Sequence, residues 1–362
     1  MQYPREDEPM SLSVEDVQKA QQAHSRAVDE FLQPGNGLPN VVGLGVGNKI
    51  VNGQPTGEPA LMVLVTHKEP SELLPDSAQA PAQLADMQTD VLTVGELQAL
   101  GYAPVESYAP MDISSQDTSS QTLARRIRPA EGGYSVGHFQ ITAGTIATCV
   151  YDFLPGASTN PPAHGVGVPP KYYILSNNHV LANTNAAAIG DPILQPGPFD
   201  GGVLPADTIA RLSRFVPIRL TPAVPLDQHN NLVDAAVAEG AFHDLDREIY
   251  WTGYVRGWRR KGNVTVGTIV QKTGRTTNYT TGRITTINAT VDINYGGGRV
   301  GRFVDQIVTT NISAGGDSGS LVTTLDDVAV GLLYAGSSVA TILNQIENVR
   351  SLLRVEVAEQ IM

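Results

Sequence analysis

Residues 314–322 read Ala-Gly-Gly-Asp-Ser-Gly-Ser-Leu-Val, a run of small residues followed by an apolar pair. The glycines around Ser318 let the chain turn tightly, since glycine adopts backbone angles that other residues avoid. Leu321 and Val322 are typical of a strand that leaves the turn. The stretch predicts a glycine-rich turn that presents a serine hydroxyl. The alternative is an ordinary hairpin turn with no chemical role.

Two further segments place a reactive group beside an apolar strand. The first, Tyr172–Leu181, begins with apolar residues and ends in a polar turn that carries His179. The second, Leu232–Ala238, is an apolar strand interrupted by Asp234. A lone carboxylate among apolar residues is costly unless it is hydrogen-bonded, so we expect Asp234 to have a partner.

The three residue types form a chemically complete set. A serine hydroxyl becomes a nucleophile when a neighbouring imidazole accepts its proton. The imidazole in turn needs a carboxylate on its other nitrogen, which sets the tautomer and stabilises the imidazolium. We therefore predict Ser318 as nucleophile, His179 as general base and acid, and Asp234 as its orienting carboxylate. Three nearby alternatives to Asp234 lie in polar loops without an apolar strand, namely Asp227, Asp244 and Asp246.

Short strand-like runs repeat through the last two thirds of the chain. Clusters of Gly, Asn, Asp and Pro separate them, a pattern typical of a β-sandwich or barrel. The stretch of about 230 residues suits one all-β double barrel. The predicted strands are 145–151, 172–176, 232–238, 267–272, 282–293, 303–309, 320–324 and 329–333.

The first third of the chain has a different pattern. A helix is predicted over 13–32 with Ser13 as its N-cap, followed by strands at 41–51, 60–66 and 90–94. Residues 107–122 are rich in Ser, Asp, Gln and Pro, as exposed linkers are. We predict a small α+β N-terminal domain over 1–106, a linker over 107–131 and an all-β domain over 132–362.

Alternating glycines in Gly43–Gly47 invite comparison with a nucleotide-binding loop. That loop requires glycines that open a helix after a strand. Here the chain continues into another extended run, so we predict a glycine-lined hairpin instead.

Together the motifs, in the order His179, Asp234, Ser318, resemble the trypsin/chymotrypsin family of serine peptidases. The stretch Lys272–Gly282 is similar to one in bacterial peptidases of the lytic-endopeptidase and streptogrisin type. The whole layout also resembles the narrow-leaf-type peptidases of bacteria and plants. The resemblance covers residues 144–336 and implies a trypsin-like double six-stranded β-barrel.

The resemblance also implies further site residues. The backbone N–H groups of Gly316 and Ser318 would form the oxyanion hole. The substrate would contact Ile312 at the pocket floor, Leu333 at its wall, and the edge strand Tyr334, Ala335 and Gly336. An apolar pocket implies an apolar or small P1 residue, the residue on the acyl side of the cleaved bond. Tyr334 and Ser320 depart from the family pattern, where a serine and a glycine are usual, and the serine hydroxyl would support the aspartate.

Composition limits the partners and the location. The chain has 24 basic and 36 acidic residues, a net charge of -12, so nucleic acid is a poor partner despite the basic run 256–261. No apolar run is long enough to span a membrane and the N-terminus carries no signal-peptide pattern, which predicts a cytoplasmic protein. We expect no metal and no cofactor. We expect Cys149, the single cysteine, to be a buried structural thiol. His164, His229 and His243 lie in predicted loops, where we expect them to be solvated.

Three hypotheses on function remain open at this point. The first is a serine endopeptidase that acts on proteins or peptides through an acyl-enzyme. The second is a catalytically silent peptide-binding scaffold with the same fold. The third is that the N-terminal region is a cleaved pro-segment rather than a regulatory or assembly domain, through which the chain could form a homo-oligomer.

Overall fold

The computed structural model describes residues 14–32, 40–75, 79–84, 86–100 and 123–362. Its helices are α1 (Val14–Phe31), α2 (Asn178–Leu181) and α3 (Ile346–Leu353). Its N-terminal strands are β1 (Val41–Val51), β2 (Gln54–Val65), β3 (Gln83–Leu84), β4 (Met87–Thr93) and β5 (Gln98–Ala99). The predicted N-cap Ser13 lies outside the described residues.

Most strands of the later part are short, as the spacing of turn residues predicts, whereas β20 and β21 have 17 and 11 residues. Each of the eight strands predicted after residue 132 overlaps an observed one. The observed strands of this part are β6 (Ala130–Gly132), β7 (Ser135–His138), β8 (Gly144–Thr145), β9 (Thr148–Asp152), β10 (Ser158–Thr159), β11 (Pro162–Ala163), β12 (Tyr172–Ser176), β13 (Pro192–Leu194), β14 (Thr208–Phe215), β15 (Ala236–Gly240), β16 (Leu245–Ile249), β17 (Gly253–Tyr254), β18 (Gly257–Trp258), β19 (Ile269–Gly274), β20 (Asn278–Asn294), β21 (Val300–Thr310), β22 (Leu321–Thr324), β23 (Val328–Gly336), β24 (Ala340–Gln345) and β25 (Val355–Glu356).

The first barrel contains the strand order β9-β12-β15-β14-β13-β7. Strand β7 also pairs with β8, and only Ile146 and Ala147 separate β8 from β9. The sheet therefore returns to its starting strand. Its interior is filled by alternating apolar side chains, among them Val136, Ile174 and Leu212.

The second barrel has the order β19-β22-β23-β24-β21-β20, and an antiparallel pairing of β19 with β20 closes it. Its apolar interior includes Val270, Ile307 and Leu343. A further cluster joins the two barrels, since Leu175 of the first packs in the same group as Leu332 of the second. Two closed six-stranded barrels confirm the predicted double six-stranded fold.

The N-terminal strands continue the sheet of the second barrel. The 17-residue β20 pairs with β19 along its first part and with β1 further on, and the order then runs β1-β2-β4-β3. Helix α1 packs its apolar face, including Ala20, Ala27 and Phe31, on the β1–β2 hairpin. The small helix-and-strand region that was predicted is therefore present, and one sheet connects it to the second barrel.

Glycine allows β1 to approach β20 closely. A Cβ atom on Gly45 would lie 2.3 Å from Cγ2 of Thr286 and 3.1 Å from Cβ of Ala289. Strand β1 forms an antiparallel hairpin with β2, as predicted from the extended run that follows the glycines. The glycines do not open a helix, so a nucleotide-binding loop is excluded here.

The predicted boundaries between the domains stay predictions. Residues 107–122 of the predicted linker lie outside the described residues. Residues 123–131 are folded rather than linker-like: Leu123 is buried, and β6 pairs with β16 in a separate three-stranded sheet.

Candidate active site

Three chain segments meet at one buried site between the barrels. His179 lies in α2, directly after β12, and Asp234 lies two residues before β15. Ser318 lies in the turn between β21 and β22. All three residues are buried in this structure. The structure therefore brings together the three side chains singled out from the sequence.

Asp234 holds the His179 ring and backbone at once. Nδ1 of His179 lies 2.6 Å from Oδ2 of Asp234, and the backbone N–H of His179 donates to Oδ1 at 3.1 Å. Asp234 was predicted inside an apolar strand, but the strand begins at Ala236. Its backbone is bound by side chains instead: its N–H donates to Oδ1 of Asn344, and its carbonyl accepts from Nδ2 of Asn177.

Tyr295 supplies a hydroxyl that the sequence did not reveal. Its O–H donates to Oδ2 of Asp234 at 2.7 Å, and the residue is fully buried. Burial first, and the charge of Asp234 second, raise the pKa of Tyr295 well above its ordinary value. The phenol therefore stays protonated and donates to the carboxylate. The hydroxyl that supports Asp234 thus comes from Tyr295, which directly follows strand β20, and not from β23.

Tyr334 does not contact Asp234 by a hydrogen bond. Within the described part of the chain its buried hydroxyl has no hydrogen-bond partner. Its ring packs against Phe303 at a centroid distance of 4.9 Å. Tyr334 thus contributes packing beside the carboxylate, while Tyr295 contributes the donor.

The carboxylate of Asp317 organises the turn that carries Ser318. Its Oδ1 accepts the backbone N–H groups of Thr276 and Thr277 at 2.9 and 3.2 Å. Its Oδ2 accepts the hydroxyl of Thr277 at 2.6 Å and lies 3.4 Å from Nζ of the buried Lys272. Burial lowers the pKa of Lys272, and the neighbouring Asp317 opposes that shift. The stretch Lys272–Gly282, recognised from the sequence, therefore positions the serine turn.

Glycine is required on both sides of Ser318. Gly316 and Gly319 have φ angles of 97° and 96°, which favour glycine. A Cβ atom on Gly319 would lie 2.2 Å from the carbonyl oxygen of Thr145. Among the residues that the structure describes, neither the N–H of Gly316 nor that of Ser318 has an acceptor. Both donors predicted for an oxyanion hole are therefore available.

The backbone of Leu100 occupies the site. Its carbonyl oxygen accepts a hydrogen bond from Oγ of Ser318 and lies 3.2 Å from Nε2 of His179. Its N–H donates to the carbonyl of Tyr334 at 3.2 Å. Ser318 and His179 thus contact the same carbonyl oxygen. The sequence offered no signal for this contact, since every residue carries a backbone carbonyl.

The predicted substrate-contacting residues lie around Leu100. Ile312 and Leu333 are buried in the apolar interior of the second barrel, and the side chain of Leu100 packs against that cluster. Ala335 and Gly336 of β23 pair with β5, immediately before Leu100. Their roles toward a substrate stay predictions.

Other candidate groups lie away from this site. Cys149 is buried, and burial raises its pKa to about 12, which keeps the thiol protonated. The prediction that His229 is solvated is wrong: it is 6% exposed, because its ring lies against β21, where Nδ1 accepts the backbone N–H of Arg302. His243 is exposed as predicted, whereas the prediction that His164 is solvated is wrong: its side chain is half-buried, with Nδ1 2.9 Å from Oε2 of the buried Glu356.

The described ranges contain neither a metal-binding cluster nor a membrane-spanning helix. In those parts of the chain, no group of three or more His, Cys, Asp or Glu side chains could hold a metal ion. None of the helices there is long and apolar enough to cross a bilayer.

Sequence comparison supports the resemblance drawn from the motifs. The chain is 38% identical over 114 residues to "Serine protease 2" of Streptomyces fradiae, a match that covers 31% of this chain and 51% of that protein. The chain thus spans about half the length of this relative. No known family model matches the chain. The match, with the two closed barrels, confirms the resemblance to trypsin/chymotrypsin-like serine peptidases.

Solved structures with some likeness are also bacterial proteases. Protease A of Thermobifida fusca is 16% identical, with a TM-score of 0.42 over 63% of this chain and 97% of that chain. A glutamic-acid-specific serine protease is 20% identical, with a TM-score of 0.42 over 62% and 98%. A chymotrypsin of Cellulomonas bogoriensis is 17% identical, with a TM-score of 0.41 over 64% and 98%. With TM-scores below 0.5, these likenesses do not bear on fold or function.

Proposed function

We propose that this chain is a serine endopeptidase with Ser318 as nucleophile. One observation carries the proposal: His179 contacts Asp234 through Nδ1 at 2.6 Å, while its Nε2 reaches the carbonyl oxygen that Ser318 also contacts. A peptide carbonyl held at this point would lie beside both the nucleophile and the base.

The reaction follows from these positions. Oγ of Ser318 attacks the substrate carbonyl carbon as Nε2 of His179 takes the hydroxyl proton. Asp234 stabilises the imidazolium, and the hydroxyl of Tyr295 stabilises Asp234. The backbone N–H groups of Gly316 and Ser318 would bind the oxyanion. His179 then returns the proton to the leaving amine, and water hydrolyses the acyl-serine by the same route in reverse.

An apolar or small P1 residue is part of the proposal. The pocket position is formed by Ile312 and Leu333, and an apolar leucine side chain, that of Leu100, packs there. An ammonium or guanidinium group buried against these side chains would lose its hydration without gaining a carboxylate partner. We therefore expect cleavage after Leu or similar residues, and not after Lys or Arg.

Active-site labelling tests the proposal. A fluorophosphonate probe should label Ser318. Because the backbone of Leu100 contacts Ser318 in the wild-type chain, the probe is also applied to Leu100→Asp, in which that contact is loosened. Ser318→Ala should abolish the labelling, while the matched variant Ser25→Ala, on the exposed surface of α1, should leave it unchanged. Absence of labelling in both the wild type and Leu100→Asp, with folding intact, would favour the silent peptide-binding scaffold instead.

A panel of short peptides that differ only at P1 tests the specificity. Rates should be highest with Leu and fall at least about tenfold with Lys, because the buried charge would be unpaired. Equal rates with Leu and Lys would contradict the apolar pocket. The cytoplasmic location and a homo-oligomer formed through the N-terminal region stay predictions.

A further inference from the structure

Residues Leu97–Leu100 lie along β23 in the manner of a bound peptide strand. Strand β5 is antiparallel to β23, with Ala99 opposite Ala335 and Gln98 opposite Gly336. The N–H of Leu100 extends the pairing to the carbonyl of Tyr334. Backbone pairing of this kind is how an extended peptide adds to an exposed sheet edge.

Three of the four side chains of the segment are placed in two apolar sites. Leu97 and Ala99 are buried in the cluster that also contains Tyr295 and Tyr334. Leu100 packs instead against the cluster of Ile312 and Leu333. Gln98 faces solvent. Leu100, the last residue of the segment, thus fills the pocket. Leu97 and Ala99 fill a second apolar site.

The carbonyl of Leu100 is held in an arrangement that does not favour attack. Its oxygen contacts Oγ of Ser318 and Nε2 of His179. No hydrogen bond joins it to the N–H groups of Gly316 or Ser318 in the parts of the chain that the structure describes. Attack on a carbonyl is fast when those donors are aimed at its oxygen, where negative charge develops, and the loss of one such donor costs about 10²–10³ in rate. The contacts seen here occupy the nucleophile and the base instead.

We propose that Leu97–Leu100 is an internal ligand of the edge of β23, where it takes the place of a substrate strand that ends in an apolar residue. This uncut, substrate-like strand blocks the site in the resting chain. The inference that this strand slows peptide hydrolysis rests on the proposed peptidase function. The inference that Leu97–Leu100 occupies the site does not rest on it.

The rest of the N-terminal region keeps the strand in place. The carbonyl of Leu97 accepts the N–H of Asn294 at 3.0 Å, at the end of β20. The hydroxyl of Ser337 donates to the carbonyl of Val94 at 2.5 Å. The pairing of β1 with β20 also keeps Leu97–Leu100 close to its site. A ligand tethered in this way acts at an effective concentration of about millimolar. A free peptide at micromolar concentration must displace it.

Release of the strand should therefore activate hydrolysis. Leu100→Asp places a carboxylate against Ile312 and Leu333, which disfavours the bound state of the strand. With the fluorogenic substrate acetyl-Leu-Gln-Ala-Leu-aminomethylcoumarin, kcat/KM should rise about tenfold or more over wild type. The matched variant Leu73→Asp changes a 73% exposed leucine of the same region and should leave kcat/KM unchanged.

Two results would overturn the inference by this route. One is equal kcat/KM in Leu100→Asp and wild type, with both folded by circular dichroism. The other is an intact mass that shows the wild-type chain cut after Leu100 and Ser318→Ala uncut, since the segment would then be a substrate rather than an inhibitor. If Leu100→Asp fails to fold, Leu100→Gly loosens the same contact without a charge, and its rate should rise as well.

Binding without catalysis separates this inference from the proposed function. Fluorescein-labelled Leu-Gln-Ala-Leu-amide should bind Ser318→Ala/Leu100→Asp at least about tenfold more tightly than Ser318→Ala, by fluorescence polarisation. Tighter binding with no hydrolysis by any variant would support the internal ligand and refute the peptidase. Equal binding to both proteins would refute the internal ligand and leave the peptidase standing.

Discussion

The hydroxyl of Tyr295 offers a sharp test of how the buried carboxylate is supported. Tyr295→Phe keeps the ring, which stacks on Phe303 at 6.1 Å, and removes only the hydrogen bond to Asp234. The site is fully buried, so water does not replace the lost donor. A hydrogen bond to a charged acceptor contributes about 1.5–3 kcal/mol, so the free energy of unfolding should fall by about 2 kcal/mol.

The same change should lower kcat with little effect on KM, because Tyr295 contacts Asp234 and not the substrate. If the whole 2 kcal/mol were expressed in the transition state, kcat would fall by about 30-fold, which sets the upper limit. Urea unfolding measures the stability, and the rates are measured in the Leu100→Asp background, where the site is open.

Tyr334→Phe is the matched control for this prediction. It removes a second buried hydroxyl from the same cluster, one that has no partner among the described residues. Its removal should leave stability unchanged or raise it by about 1 kcal/mol. Equal losses of stability in the two variants, or a Tyr295→Phe protein as stable as wild type, would refute the reasoning.

Three further predictions follow from other contacts. Lys272→Met leaves Asp317 without its buried cation and should lower the free energy of unfolding by about 3 kcal/mol in urea titrations. Burial lowers the pKa of Lys272 in the folded chain, so the unfolded chain binds that proton more tightly. Wild type should therefore gain stability relative to the variant as the pH rises toward 10.5. A difference in unfolding free energy that stays constant with pH would argue against this prediction. Gly45→Ala should lose about 1–3 kcal/mol in thermal unfolding, whereas Gly262→Ala, with open space around it, should not. Cys149, with its pKa raised to about 12, should not react with iodoacetamide at pH 8 unless the chain is unfolded.

Local chemistry made much of the site predictable. Ser318 lies among glycines, His179 follows an apolar strand, and Asp234 interrupts one, so each is conspicuous within a few residues of its own sequence. The structure places the three together, although their catalytic roles stay predictions. Solvation of His229 was predicted wrongly because its loop is covered by β21, a contact from a distant part of the chain.

The sequence alone determines the barrel class and the three chemically reactive side chains, because both depend on short-range patterns of apolar, glycine and polar residues. Only the tertiary structure decides that Tyr295 supports Asp234, that Asp317 is held by Lys272, and that Leu100 covers Ser318. These partners are 61, 45 and 218 residues apart in the chain. Nothing local distinguishes one tyrosine or one backbone carbonyl from another. Their roles arise when closure of the second barrel, and its extension by β1, bring them to the serine turn.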